Sequence, residues 1–291
     1  MQMIEKNIAE YFAMARERYL IHQRRLSGES RPWTEDPVFQ AWRFCNVFRE
    51  DDRTTKWIDK NVRGPLRNQS DDRMVTAMVA CRLFNRIEIL ERIQKAGLLQ
   101  SWDGRGVCKV LKDVHPVVGA AYMIKTPTGM DKLHGVVAIV DTVQADSHLL
   151  AEQMCEHASL EFACDLLQRY SYIGSFLAYE IVSDLRWTPV LERATDVMTW
   201  SVPGPGACRG LSWLVAGNSD EIKYGSRVAK EEALGLMGKL LRCSQSVVYW
   251  PQEWPMWEMR EVEHFLCEMW KYAKVKYLNR RMKRRFYLPS P

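Results

Sequence analysis

No two of the eight cysteines, at positions 45, 81, 108, 155, 164, 208, 243 and 267, stand at CxxC spacing. Thiols scattered in this way argue against a disulfide scaffold and against the paired-ligand spacing of structural zinc sites, and they suit a reducing compartment. Long hydrophobic runs are missing too. Stretches such as Val136 to Val140 stop after five residues, far short of the ~20 that a membrane span needs. The start, Met1-Gln2-Met3-Ile4-Glu5, has no targeting character. There is no GxxxxGK[ST] phosphate loop, no HExxH helix and no glycine-rich fingerprint after a strand, so nucleotide-driven phosphorylation, zincin chemistry and hydride transfer lose their usual signatures. Cys155, His157 and Cys164 read as helix and core rather than as ligands. The expectation is a cytoplasmic protein that carries neither a metal nor a cofactor.

What is present is ordinary globular composition with two biases. Of 291 residues, 47% are hydrophobic and 26% charged, enough for a real core. The 11 Trp and 11 Tyr are a heavy load of rings that fill cores and also stack on bases. Net charge is only +5, but the stretch from Lys271 to the end holds eight basic residues (Lys271, Lys274, Lys276, Arg280, Arg281, Lys283, Arg284 and Arg285) and no acid. A local field of that kind favours a polyanion.

Helical periodicity dominates. Ile4, Ile8, Tyr11, Phe12, Ala15 and Tyr19 predict an amphipathic helix to about Arg25. Asp36-Pro37 is a helix start, by cap and by first-turn proline, and the spacing carries that helix through Trp42 to Arg49. Further helices are expected through Trp57, from Ser70 through Leu83, over 87–96, 130–144, 147–168, 174–186, 231–243 and 256–281, with 101–128 broken by Gly and Pro. The fold class is therefore all-α, as one domain over 1–291 with room for two lobes at about 1–125 and 126–291.

Four stretches carry candidate chemistry. In Trp42-Arg43-Phe44-Cys45-Asn46-Val47-Phe48-Arg49-Glu50-Asp51-Asp52-Arg53, a helix would put Arg43, Asn46 and Glu50 on one face with Arg49 and Arg53 beside it. Forked guanidinium groups suit phosphate or carboxylate, and an Asn among apolar residues is poor helix chemistry. In Tyr170 to Leu185, Glu180 and Asp184 sit i, i+4, a repulsive pair unless a cation lies between them. That cation is either an Arg of the chain or a substrate ammonium, for which the pair would act as general base. Gly204-Pro205-Gly206, with Arg209 following, makes a turn whose N–H groups suit phosphate. In Arg260 to Tyr272, Glu263, Cys267 and Lys271 are in i, i+4 register, as are His264 and Glu268. A histidine beside carboxylates can move a proton near neutral pH.

These stretches together resemble the phage α-glutamyl/putrescinyl-thymine pyrophosphorylase-like family, whose helical domain also occurs beside the kinase in 5-hydroxymethyluracil DNA kinases. The resemblance runs over about residues 5–285, and the first and last stretches are its most specific parts. It implies a helical architecture distantly related to DNA glycosylases and a place in phage thymine hypermodification, in the cytoplasm of the infected cell. In that chemistry a kinase phosphorylates 5-hydroxymethyl-deoxyuridine in DNA, and a transferase displaces the phosphate or pyrophosphate with an amine such as glycine. Without a phosphate loop, the transferase step is the one expected here, on a base flipped from the duplex. Glu180, Asp184, His264, Asn46 and Glu263 are then the catalytic candidates. Arg43, Arg49, Asp52, Arg53, Cys45 and Tyr172 would meet the substrates, with Cys45 adding to C6 as a minor route. Gly204, Gly206, Arg209, Lys271, Lys274, Arg280 and Arg281 would hold duplex DNA. The rival readings are a DNA glycosylase and a non-catalytic DNA-binding partner of a separate kinase.

Overall fold

The computed structural model describes residues 1–120 and 123–281. Among these residues every regular element is helical and no strand occurs. In chain order the helices are α1 (Glu5–Leu26), α2 (Pro37–Ala41), α3 (Arg53–Ile58), α4 (Gly64–Leu66), α5 (Asp71–Phe84), α6 (Ile87–Lys95) and α7 (Gly104–Leu111). There follow α8 (Lys132–Ala145), α9 (Ser147–His157), α10 (Leu160–Leu167), α11 (Ser175–Leu185), α12 (Pro205–Ala216), α13 (Arg227–Ser244) and α14 (Met259–Lys276). No helix among the described residues is long and apolar enough to cross a membrane.

Local chemistry accounts for most helix starts. Asp36 accepts hydrogen bonds from the Val38 and Phe39 N–H groups, and Pro37 occupies the first helical position of α2. Glu258 and Glu261 close a capping box at the start of α14. Three expectations fail for identifiable reasons. The helix from Pro37 ends at Ala41, and Trp42 onward is extended until a single 3-10 turn, Arg49–Asp51. The predicted helix over 147–168 is two helices: Ala158 turns left-handed at φ 45, and Ser159 and Asp196 then take the exposed N–H groups that begin α10. Within 101–128, α7 forms because Asp103 caps it.

The chain divides into two compact units. The first is built from Met1–Asp52 and from the chain beyond Val197; the second is Arg53–Asp196. The first unit is thus assembled from two distant stretches of sequence.

In the first unit, α1, α2, α12, α13 and α14 surround an aromatic core. Tyr11 and Phe12 are fully buried, and Tyr11 packs edge-on against Phe12, Trp257 and Phe265 at ring separations of 5.0, 5.8 and 5.6 Å. Trp250 meets Trp257 at 5.3 Å in the same manner, a geometry that favours ring edges on ring faces. These rings are core, not a stacking platform for bases. The second unit packs α5 against α8, α9 and α11, with α7 on α8 and α10 on α11.

Candidate functional site

Four residues of the 42–53 stretch are set by contacts distant in sequence. Cys45 donates its backbone N–H to Glu268 Oε2 at 3.1 Å. Asn46 donates its backbone N–H to Asp52 Oδ1 at 3.2 Å, and its side-chain nitrogen to the Asp51 carbonyl at 2.8 Å and to Asp52 Oδ1 at 3.3 Å. Arg18 of α1 donates to Asn46 Oδ1 and to the Phe44 carbonyl. Asn46 is therefore not free to read a base edge. It is buried, its amide nitrogen and oxygen are both engaged, and it clamps a bent backbone whose own helical hydrogen bonds are confined to the 3-10 turn. Arg43, Asn46 and Glu50 share no helix face. Arg43 is exposed, Arg49 is buried, and Glu50 accepts from Arg260 at 3.0 Å. Phe44, Val47 and Phe48 go to the core, as their apolar character requires.

The facing wall is α14. Its residues Glu263, His264, Cys267, Glu268 and Lys271 lie along helical i, i+4 rows. Glu268 is almost wholly buried and also accepts from Lys271, while His264 is partly exposed. The Cys45 sulfur, an Asp52 carboxylate oxygen and a ring nitrogen of His264 all lie within 4.8 Å of one another. Burial, and then the carboxylates of Glu268 and Asp52, push the Cys45 thiol well above its ordinary value. Burial opposes the Lys271 ammonium, but Glu268 outweighs it and holds its proton on more tightly than usual. These surroundings disfavour the thiolate that attack on a pyrimidine C6 needs.

The glycine turn has a different task from the one its sequence suggests. Gly204 is buried, and its N–H donates to Glu263 Oε1 at 3.3 Å. A Cβ on Gly206 would stand 2.6 Å from Cys267 Sγ, and one on Gly210 would stand 2.3 Å from the Leu266 carbonyl oxygen. The two glycines, four apart on α12, let that helix lie directly on α14. The turn serves helix packing and the positioning of Glu263 rather than a phosphate. Of the basic candidates, Arg43, Arg209, Arg280 and Arg281 are exposed, and Lys271 and Lys274 are half-buried. Lys283, Arg284 and Arg285 lie outside the described residues.

The remaining candidates lie in the second unit. Asp184 is completely buried and holds the guanidinium of Arg82 in a two-pronged pair, with Nη2 at 2.7 Å from Oδ1 and Nε on Oδ2. The same Arg82 Nη2 reaches Thr55 Oγ1 at 3.2 Å. The cation beside Asp184 is thus an arginine of the chain. Glu180 is buried on the same helix, and Tyr172 is exposed with its backbone at φ 71. Arg53 is exposed at the start of α3.

Glu268 and Arg18 were missed as site residues. The register of Glu268 with His264 was the available signal for the first; nothing local marks the second.

The family model described as the helical domain of 5-hmdU DNA kinase matches residues 5–281. The chain belongs to this family. Within the 5-hmdU DNA kinase helical-domain family, a 5-hmdU DNA kinase of Bacillus phage SP10 is 26% identical over 294 residues, covering 90% of this chain and 44% of that protein. The chain therefore spans less than half the length of that relative. No solved structure matches it.

Proposed function

We propose that the chain acts in phage thymine hypermodification as an amino-acid:DNA transferase. It displaces the phosphate or pyrophosphate of a 5-phosphomethyl-deoxyuridine in duplex DNA with an amine, glycine first, to give glycinyl-thymidine. The observation that carries this reading is the family match over residues 5–281. It is supported by the grouping of Cys45, Asp52, Glu263, His264 and Glu268 in one unit.

The chemistry asked of the site is one exchange. The bond from the exocyclic methylene to the phosphate oxygen breaks, and a carbon–nitrogen bond to the amine forms. The amine gives its proton to Glu263 or His264, adjacent on α14. The leaving oxyanion is met by an exposed arginine, Arg43 or Arg209, since electrostatic stabilisation of a developing charge is often the largest catalytic term. The base reaches the site by flipping out of the stack, at a few kcal/mol, which phosphate contacts by Arg280 and Arg281 offset. Asp184 has no part in proton transfer here.

A second reading has its own support: the SP10 relative is a kinase of more than twice the matched length. On that reading the helical chain recognises modified DNA for a kinase and performs no chemistry. The test is product analysis. The protein is incubated with duplex DNA carrying 5-phosphomethyl-deoxyuridine and glycine, and the digested nucleosides are read by mass spectrometry. A glycine adduct that requires both protein and glycine supports the transferase. An abasic site indicates a glycosylase. DNA left unchanged with the monophosphate, the pyrophosphate and a panel of amines indicates the recognition module.

A further inference from the structure

The grouping of Cys45, Asp52 and His264 has an unusual donor set for a site where no metal was expected from the sequence. A thiol sulfur, a carboxylate oxygen and an imidazole nitrogen lie within 4.8 Å of one another. They come from two segments about 210 residues apart in sequence, the bent 42–52 stretch and α14. Ligand atoms on a tetrahedral ion with bonds of ~2.0–2.3 Å lie ~3.3–3.8 Å apart. The three groups thus close on one ion with side-chain movements of about 1 Å or less.

A second observation points the same way. Among the described residues, His264 Nε2 is shielded from solvent and has no hydrogen-bond partner. A buried ring nitrogen left so is unfavourable. The neighbouring groups are also held as metal ligands commonly are. Asp52 Oδ1 accepts from both nitrogens of Asn46, Asn46 is fixed in turn by Arg18, and the Cys45 backbone is fixed by Glu268. Outer contacts of this kind orient ligands before the ion arrives.

We propose that Cys45, Asp52 and His264 form a divalent transition-metal site, with zinc the best fit. Sulfur and imidazole donors select against magnesium and calcium. Three protein ligands leave the fourth position to an oxygen ligand, a water or an oxyanion. Binding converts the Cys45 S–H to a metal-bound thiolate and releases that proton to solvent. With His264 on the metal, Glu263 is the remaining proton acceptor on this wall, and the open position faces a phosphate oxygen as a Lewis acid. These last two roles rest on the transferase reading; the metal site itself does not.

The test is metal binding by the full chain. Cobalt(II) is titrated into metal-free protein while the thiolate-to-cobalt absorption in the near ultraviolet is followed. The wild type should develop this band with an end point of one cobalt per chain. Cys45→Ser should abolish the band, Asp52→Asn and His264→Gln should weaken binding at least about tenfold, and Cys155→Ser, at an exposed cysteine, should change nothing. Circular dichroism of the metal-free variants establishes that each is folded. X-ray absorption of the zinc-loaded wild type needs no variant, and should show one sulfur at ~2.3 Å with nitrogen or oxygen completing the shell. No band at one equivalent, a band that persists in Cys45→Ser, or a shell of several sulfurs would overturn the site. Because none of these readouts involves turnover, failure of the transferase assay leaves the metal result standing, and the reverse holds equally.

Discussion

Replacing Asp184 with asparagine separates a structural carboxylate from a catalytic one. Asp184 and Arg82 are 0% and 3% exposed, and each is the other's charge partner in the interior of the second unit. Asparagine keeps the shape of the side chain and removes the charge, so the Arg82 guanidinium stays buried without its counter-ion. Breaking a buried pair from one side costs about 3–5 kcal/mol, against a total stability on the order of 5–15 kcal/mol. At about 2–4 °C per kcal/mol for a protein of this size, the variant should melt roughly 6–20 °C below the wild type. Calorimetry or circular dichroism at fixed concentration reads this directly. A partner variant sharpens the case. Arg82→Leu combined with Asp184→Leu removes both charges, and a buried pair exchanged for packed apolar groups is often neutral or better, so much of the lost stability should return. If Asp184→Asn melts within about 1 °C of the wild type and yet abolishes turnover, the carboxylate belongs to the chemistry and the structural assignment is wrong.

Three further outcomes are expected. Gly206→Ala should destabilise by about 1–3 kcal/mol through overpacking on Cys267, and Cys267→Ala should relieve that cost but not the cost of Gly210→Ala, which meets the Leu266 backbone; denaturant midpoints of the single and double variants check this. In metal-free protein at pH 8, iodoacetamide should modify exposed Cys155 well before Cys45, because burial, Glu268 and Asp52 raise the Cys45 value and keep it protonated. Its labelling rate should climb only as pH rises further, and peptide mass spectrometry that finds Cys45 the fastest to react refutes this. Glu263→Gln should lower glycine transfer by about 10²–10⁴, read by mass spectrometry of the digested nucleosides, and transfer at the wild-type rate refutes its role as proton acceptor.

What was legible in the sequence follows the range of the forces involved. Asp36-Pro37 marks a helix start by contacts within three residues, and the structure places α2 there. The end of α2 at Ala41 was illegible because the next eleven residues owe their shape to Arg18, Glu268 and each other. One local sign was present: an asparagine set among apolar side chains, which serves a helix badly. The spacing of Glu263, Cys267 and Lys271 placed them on one face of α14 correctly, because a long helix imposes its period on any side chain it carries. Gly204 and Gly206 misled for the opposite reason. Glycine fits a phosphate-binding turn and a close helix contact alike, and only the position of Cys267 and Glu263 distinguishes them.

The two acidic sets, on α11 and α14, differ in what neutralises them. On α11, Asp184 holds Arg82 in two-pronged contact and is committed to the fold. On α14, Glu268 is paired with Lys271, and Glu263 accepts from the Gly204 N–H and the Cys267 thiol. Beside them His264 Nε2 has no hydrogen-bond partner among the described residues, and Asp52 and Cys45 stand within 4.8 Å of a ring nitrogen of His264. Lys271 and Arg18 already lie near the Cys45 thiol, yet His264 Nε2 is left without a hydrogen-bond partner among the described residues, and that is the need an incoming group would meet. A divalent ion meets that need, and so would the ammonium of an incoming amine. The cobalt titration tells the two apart, since an amine gives no charge-transfer band and a metal gives one whether or not DNA is present.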